Sequence, residues 1–346
     1  MSRLEASAPG RVNLIGEHTD YNGGMVLPAA LSVGLNLALS PRTDGQVIIE
    51  SDTHGEIAKR RIEESATGHW SDPCVGALQR ARGFGWIDGG ASLKIKSSIP
   101  AGSGLSSSAA LIVAILKAAR EAGKGEQSDI GVAVAARQVE NEYMGVPCGI
   151  MDQMAVALAT PGTAMALNTK TLDFRLVNLP QTHTIAVIHS GVFRKLTEGR
   201  YAERKVECDA AKEFFATADL CLLDPQEIAS STLPDPYRKR AMHCATEHRR
   251  VLTALEALKT NDIAALGTAM NESHVSMRDY FEMSVPQIDE LVSDAQKLGA
   301  NGARLTGGGF GGCIVAMVDK SRFEDWLSNL LATHRQAKLI DTVVGS

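Results

Sequence analysis

A short run near the start of the chain carries more potential chemistry than any other segment. Between Ala8 and Gly24 it holds one arginine, two carboxylates, one histidine and four glycines. Glycine lets a backbone turn through positive φ or approach a ligand closely. Alternating donors and acceptors can encircle a polyhydroxylated molecule. This run, the first motif, is therefore expected to bind a polar ligand rather than to form an ordinary strand or helix.

The second motif, residues 99–110, combines glycines and serines between a predicted strand and a predicted helix. Exposed backbone N–H groups, serine hydroxyls and a helix N-terminus together favour bound phosphate. The motif lacks the lysine of a Walker A loop, and Ser107 replaces the third glycine of a dinucleotide fingerprint. The alternative is a glycine-serine turn that only caps a helix. The candidate phosphate-binding residues are Gly102, Ser103, Gly104, Leu105, Ser106, Ser107 and Ser108.

The third motif, residues 304–318, has five glycines among the six residues 307–312 and leads into a predicted buried strand. So many glycines cost conformational entropy that a simple turn does not require. They indicate a place where side chains would obstruct a ligand, although a tight turn between strands is the alternative. The candidate glycines are Gly307, Gly308 and Gly309.

Composition excludes several classes of function. Charged residues make up 22% of the 346 residues, the formal net charge is −5, and both signs are interspersed. This pattern speaks against nucleic-acid and membrane-surface binding. The six cysteines are scattered without a metal-ligand spacing, which favours free thiols in a reducing compartment. Neither a signal-peptide core nor an apolar run long enough to span a bilayer is visible, so a cytoplasmic location is predicted.

The elements that must position the motifs are mixed. Short β-branched runs, including Met25 to Ala30 and Thr184 to His189, predict strands. Helices are predicted over Leu111 to Ala122 and from an N-cap at Ser128 to about Met144. Ser284 and Gln287 have capping-box spacing and predict another helix start. The length of the chain favours two domains, the first β-rich around central helices and the second helix-rich with a late sheet.

The three motifs, in this order, resemble those of the galactokinases within the GHMP family of small-molecule kinases. The resemblance runs from residue 8 to residue 318 and so covers most of the chain. It implies an α/β fold of the α+β type. The N-terminal domain, residues 1–180, should resemble ribosomal protein S5 domain 2, and the C-terminal domain, residues 181–346, should be ferredoxin-like. The active site is expected between them.

The resemblance also assigns roles in phosphoryl transfer, which needs a cation, a metal on the phosphates and a carboxylate at the attacking oxygen. Asp152 matches the catalytic aspartate and Arg11 the arginine of the first motif. Glu140 matches a magnesium ligand, which would act with a hydroxyl of Ser107 or Ser108. Each has a simpler alternative: Asp152 as a helix N-cap, Glu140 as a solvated helix face and Arg11 as a surface ion pair.

The same resemblance assigns sugar recognition to a further set of residues. A packed tyrosine at a helix start is the alternative for Tyr201, and a structural histidine is the alternative for His18. Besides Asp152, the set comprises Glu17, His18, Asp20, Gly149 and Tyr201.

The activity implied is phosphorylation of the anomeric hydroxyl of α-D-galactose by ATP with Mg²⁺. Kinases for N-acetylgalactosamine, galacturonate or L-arabinose remain alternatives within the enzyme class. A non-catalytic sugar sensor is the alternative from another class, although such sensors lose part of the serine-alanine run that is intact here from Ser106 to Ala110. The expected partners are a sugar and ATP, with no nucleic acid, membrane or required protein partner.

Overall fold

A computed structural model describes residues 3–192 and 198–345. These residues form two compact units that interleave along the chain. Unit 1 comprises residues up to Arg11 together with 32–101 and 105–158, and unit 2 comprises 12–31, 102–104 and the chain after Leu158. The predicted domain bounds of 1–180 and 181–346 stay a prediction.

Unit 1 is built on a mixed sheet. Its strands are β1 (Leu4–Asn13), β3 (Pro28–Pro41), β4 (Gln46–Ser51), β5 (Ala58–Arg61) and β6 (Ala91–Ser97), of which β1 and β3 continue into unit 2. In β6 the apolar residues Leu93 and Ile95 are buried while Lys94 and Lys96 are exposed. This period of two gives the sheet one buried face. β6 pairs antiparallel with β3 and parallel with β4.

One apolar helix occupies the centre of unit 1. The helices are α1 (Asp72–Gly83), α2 (Ser107–Ala122), α3 (Asp129–Gln138) and α4 (Met151–Leu158). α2 has apolar residues on nearly every side and packs against the other three, as an all-round hydrophobic helix must. It begins at Ser107, four positions before the predicted start, so the second motif runs directly into a buried, rigid helix.

Unit 2 contains a four-stranded antiparallel sheet. Its strands are β9 (His183–His189), β10 (Gly302–Leu305), β11 (Cys313–Asp319) and β12 (Lys338–Val344), in the spatial order β10-β11-β9-β12. With helices between β9 and β10 and between β11 and β12, this is the βαββαβ pattern of a ferredoxin-like domain. The expected two-domain α/β fold is confirmed. The glycines of the third motif join β10 to β11.

The described part of unit 2 also contains three short strands and six α-helices. β2 (Met25–Val26) and β8 (Phe174–Asn178) both pair with β7 (Thr163–Asn168). The helices are α5 (Glu198–Phe214), α6 (Pro225–Ser230), α7 (Tyr237–Thr260), α8 (Ile263–Asp279), α9 (Pro286–Lys297) and α10 (Phe323–Thr333).

Two further predicted elements differ in detail. The strand predicted over Met25 to Ala30 is interrupted at Leu27, whose backbone N–H and carbonyl bond to the first motif instead. α3 has the expected cap, since the Ser128 hydroxyl accepts from the N–H of Gly131, but it gives way to a π-helical turn over Val139–Tyr143. Sequence periodicity does not reveal such a wide turn.

Among the helices that the structure describes, none is long and apolar enough to cross a membrane. Cys74, Cys208, Cys221 and Cys244 are buried thiols, as the scattered cysteine pattern predicted.

Candidate active site

An arginine-carboxylate pair forms the centre of the site in unit 1. Arg11 near the end of β1 and Asp152 in the first turn of α4 are 141 positions apart in the chain. The Arg11 Nε donates to Asp152 Oδ1 and Nη2 donates to Oδ2, both at 2.7 Å. The Arg11 side chain is 5% exposed and that of Asp152 31%. Arg11 is therefore not a surface ion pair, and the carboxylate it holds still reaches solvent.

The second motif brings a third group to this pair. Ser106 has a left-handed backbone with φ +66°, and its hydroxyl donates to Asp152 Oδ2 at 2.6 Å. α2 begins at the next residue, so its first N–H groups and the positive end of its dipole lie beside the motif. Gly102 and Gly104 also have positive φ. Ser107 is exposed and Ser108 half-buried, so the start of α2 is open to an anion.

Glu140 lies in the π-helical turn and is buried, which shows that the solvated-face alternative is wrong. Its Oε2 accepts from Gln153 Nε2 and lies 3.6 Å from Cys148 Sγ. Burial raises the pKa of Glu140, although the nearby Ser108 hydroxyl opposes this. Within residues 3–192 and 198–345 no ion pair involves Glu140. This carboxylate therefore sits beside the start of α2 without a cationic side chain to balance its charge.

The first motif, most of which lies in unit 2, is fixed by its own side chains. The Thr19 hydroxyl bonds to the carbonyls of Gly16 and Met25, at 2.9 and 2.8 Å. The Asn22 Nδ2 donates to the carbonyl of His18 at 2.7 Å. These bonds fix the backbone of the loop between Gly16 and Met25.

Glu17 makes its bonds with the third motif. Its Oε1 accepts from the N–H of Gly307 at 2.7 Å and from the Thr306 hydroxyl at 3.2 Å. Its Oε2 accepts from Arg304 Nη2 at 2.6 Å and from Asn13 Nδ2 at 2.5 Å. The residue is 2% exposed. The first and third motifs are therefore joined through one buried carboxylate.

Arg304, at the start of the third motif, is the buried cation that pairs with Glu17. The sequence motifs assigned it no role. Its guanidinium is fully buried and also donates from Nε to Ser273 Oγ at 3.1 Å and from Nη1 to the carbonyl of Asn13 at 3.1 Å. Glu247 on α7 lies 3.8 Å away and pairs with Arg250 at 2.8 Å. A charged residue within a strand was the only sequence signal for this buried network.

Glu247 and His243 on α7 show how strongly this region is buried. Burial alone would raise the pKa of Glu247, but Arg250, His243 and Arg304 lower it to about 2. Burial lowers the pKa of His243 to about 4. His243 Nε2 lies 3.1 Å from the carbonyl of Glu17, which can only accept, so Nε2 carries the proton and Nδ1 accepts from the Ser276 hydroxyl.

Acid should destabilise unit 2 through His243. Its folded pKa of about 4 lies below the ordinary value of 6.5, so between these values the unfolded chain binds more protons and stability falls as the pH is lowered. We expect His243 to account for up to about 3 kcal/mol of this loss. Urea unfolding of the wild type and His243→Gln between pH 7 and pH 4 measures it. Parallel pH profiles for the two proteins would contradict the assignment.

The sugar-binding candidates of unit 2 include an aromatic group. His18 Nδ1 lies 2.7 Å from the Tyr21 hydroxyl, and the His18 ring is centred 5.2 Å from Tyr201 and 4.4 Å from Phe281. Tyr201 is in the first turns of α5, and Asp20, two residues after His18 in sequence, is partly exposed. The structure thus brings His18 and Tyr201 together. Gly149 lies in unit 1, buried just before α4.

Three family models match the chain. They are the galactokinase galactose-binding signature over residues 2–41, the GHMP kinases N terminal domain over residues 62–160 and the GHMP kinases C terminal over residues 254–333.

Curated relatives and solved structures agree with these models. Galactokinases of Roseiflexus sp. (strain RS-1) and Glaesserella parasuis serovar 5 (strain SH0165) are each 39% identical. They match 95% and 97% of this chain, and the matches cover 87% and 90% of the relatives. Lactococcus lactis galactokinase complexed with galactose superposes with a TM-score of 0.94 at 30% identity, covering 100% of this chain and 94% of that one. Methanococcus jannaschii mevalonate kinase shares the fold, with a TM-score of 0.75 at 18% identity. With its three motifs in order and relatives matched over nearly their full length, the chain belongs to the galactokinase family of GHMP kinases.

Proposed function

We propose that this protein transfers the γ-phosphoryl group of ATP to the anomeric hydroxyl of α-D-galactose, giving galactose 1-phosphate and ADP. The observation that carries the proposal is the two-point contact of Arg11 with Asp152, joined by Ser106 from the phosphate motif. It places a partly exposed carboxylate at the start of the helix that would receive the phosphates. Family membership supports galactose as the acceptor, since the Lactococcus lactis relative was solved with that sugar.

Asp152 is the proposed catalytic base. Two bonds from Arg11 and one from Ser106 fix the plane and position of its carboxylate. A carboxylate so held can accept the proton of the sugar hydroxyl without reorganising. The guanidinium of Arg11 has five N–H donors and a permanent charge, so beside Asp152 it would also offset charge that develops on the transferring group.

The phosphates would bind at the second motif. The start of α2 offers backbone N–H groups and a helix dipole, and Ser107 and Ser108 add hydroxyls. The third motif would lie beside the ligand with little side-chain bulk, through Gly307, Gly308 and Gly309. The remaining sugar contacts are proposed at Glu17, His18, Asp20, Gly149 and Tyr201.

Mg²⁺ fits the residues present. Glu140 is a buried carboxylate without a cationic partner among the described side chains, and the buried hydroxyl of the nearby Ser108 has no hydrogen-bond partner among the described residues. Hard oxygen donors of this kind suit Mg²⁺, which commonly takes one or two carboxylates and completes its shell with substrate phosphates and water. When bound, Mg²⁺ would neutralise charge on the nucleotide phosphates.

Replacing Glu140 should raise the metal requirement. We expect EDTA to abolish turnover, and Glu140→Gln to raise the half-saturating Mg²⁺ concentration by about tenfold or more. Calorimetry of MgATP binding gives a readout that does not depend on turnover. Glu142→Gln is the matched control, because Glu142 lies in the same turn but is exposed and paired with Arg80. Equal metal titrations for the two variants would remove Glu140 from the metal site.

A coupled ADP-release assay across a panel of sugars tests the proposed function. Galactose should give the highest kcat/KM. A clear preference for N-acetylgalactosamine, galacturonate or L-arabinose would replace galactose as the substrate, and sugar binding without ADP release would indicate a sensor. The cytoplasmic location stays a prediction.

A further inference from the structure

Phe310 occupies an unusual position in the third motif. It is a bulky residue with φ +60°, a conformation that β-carbons disfavour, and it is 5% exposed. Its N–H donates to the carbonyl of Met283 at 2.7 Å. The neighbouring Gly309 has no room for a side chain, because a Cβ there would lie 2.6 Å from that same carbonyl. The backbone is therefore fixed so that one aromatic ring projects from a loop of glycines.

Two arginines of α5 lie over this ring. The Arg200 Cζ is 4.9 Å from the ring centroid and the Arg204 Cζ is 5.7 Å from it. Both distances are in the range of cation–π attraction. Arg204 is itself held, with Nη1 donating to Glu207 Oε2 at 2.9 Å and Nη2 to the carbonyl of Glu282 at 3.3 Å. The ring and the two guanidinium groups thus link the glycine loop to the first turns of α5.

Tyr201 follows Arg200 directly on α5. Since Arg200 and Arg204 are one helical turn apart, contacts at both positions set the rotation of the helix about its axis. That rotation decides where the Tyr201 side chain points. Its ring is centred 5.2 Å from His18 and 6.1 Å from Tyr21, within the aromatic group of the proposed sugar site.

We propose that Phe310 is a positioning residue for sugar recognition: by holding Arg200 and Arg204, it orients α5 and so places Tyr201 against His18. The proposal rests on the proposed function, because it concerns the same sugar site. It assigns to one side chain of the glycine loop a role in sugar affinity, whereas the glycines themselves serve close approach to the ligand.

A purely structural role for Phe310 predicts a different outcome. If the ring only filled space, its loss would lower stability without separating galactose binding from ATP binding. A positioning role predicts a selective loss of galactose affinity that depends on the two arginines.

The variants are Phe310→Leu, which removes the ring, and Phe310→Trp, which keeps a π face for the arginines. Phe323→Leu is the matched control, since Phe323 packs against the same core of unit 2 and its ring neighbour is Trp326. For each variant, calorimetry measures galactose binding, steady-state kinetics give the KM for galactose and for ATP, and a melt measures stability.

Phe310→Leu should raise the galactose Kd and KM about tenfold and change the ATP KM by less than about twofold. Phe310→Trp should stay within about twofold of the wild type. Arg200→Gln should weaken galactose binding about threefold alone and add little to Phe310→Leu. If Phe310→Leu does not fold, Arg200→Gln alone tests the proposal. It should then raise the galactose Kd about threefold, and an unchanged Kd would overturn the proposal.

A galactose Kd within twofold of the wild type in Phe310→Leu, or equal rises in both KM values, would overturn the proposal. Failure of the wild type to bind galactose would instead overturn the proposed function, so the two failures are distinguishable.

Discussion

Asp152→Asn should lower kcat for galactose by roughly two to four orders of magnitude. The amide keeps the shape of the carboxylate but can neither accept the proton of the sugar hydroxyl as readily nor carry the charge that pairs with Arg11. Galactose binding should survive, because the side chain keeps most of its hydrogen-bonding capacity. Single-turnover kinetics with galactose and ATP, together with calorimetry, measure the two effects separately.

Asp129→Asn is the control for loss of an arginine pair. Asp129 bonds to Arg120 at 2.8 Å and is 36% exposed, close to the 31% of Asp152. It should keep wild-type turnover. If Asp152→Asn retained more than about a tenth of wild-type kcat, Asp152 would not be the base.

The second large effect is stereochemical. A sugar that inverts one hydroxyl loses its bonds and leaves buried partners unpaired, and each such partner costs about 1–3 kcal/mol. With two partners affected, discrimination reaches roughly a hundredfold to ten-thousandfold. D-galactose should therefore be used well and its C4 epimer D-glucose poorly. The ratio of their kcat/KM values measures this, and similar values for both sugars would defeat the assignment of the first motif to sugar binding.

Asp20→Ala tests the same site from the protein side. Asp20 is assigned to the sugar rather than to the nucleotide, so its removal should reduce kcat/KM for galactose far more than it affects ATP binding. An equal effect on both substrates would assign Asp20 to the nucleotide or to the fold instead.

Local sequence was sufficient to predict helices and caps, because these depend on residues close together in the chain. The helical pattern over Leu111 to Ala122 predicted a helix that forms most of α2, and the Ser128 cap is where the sequence placed it. The prediction that Ser284 forms a capping box was wrong, although a helix does begin two residues later. Pro286 is the first residue of α9, and a proline forces the residue before it into extended backbone, so Val285 is the cap. The Ser284 hydroxyl donates to Asp289 instead.

Contacts between residues that are distant in the chain could not be predicted from local sequence patterns. The pairing of Arg11 with Asp152 and that of Glu17 with Arg304 follow from how the chain folds back on itself, and spacing carries no record of it. Glu140 is a related case. A solvated helix face was the alternative for Glu140, whereas the residue lies buried in the π-helical turn. Its role as a magnesium ligand, which the resemblance implies, stays a prediction.

The buried contacts of Glu17 bear on how the choice of sugar could be altered by directed evolution. Four protein donors hold this carboxylate, and removing one member of a buried ion pair destabilises a protein by about 3–5 kcal/mol. Substitutions at Glu17 will mostly be eliminated as unfolded before their effect on specificity can be selected. Asp20 and Tyr201 are less buried, so variants there should survive. Libraries that vary these two positions and retain Glu17 should be the richer source of enzymes with new sugar preferences.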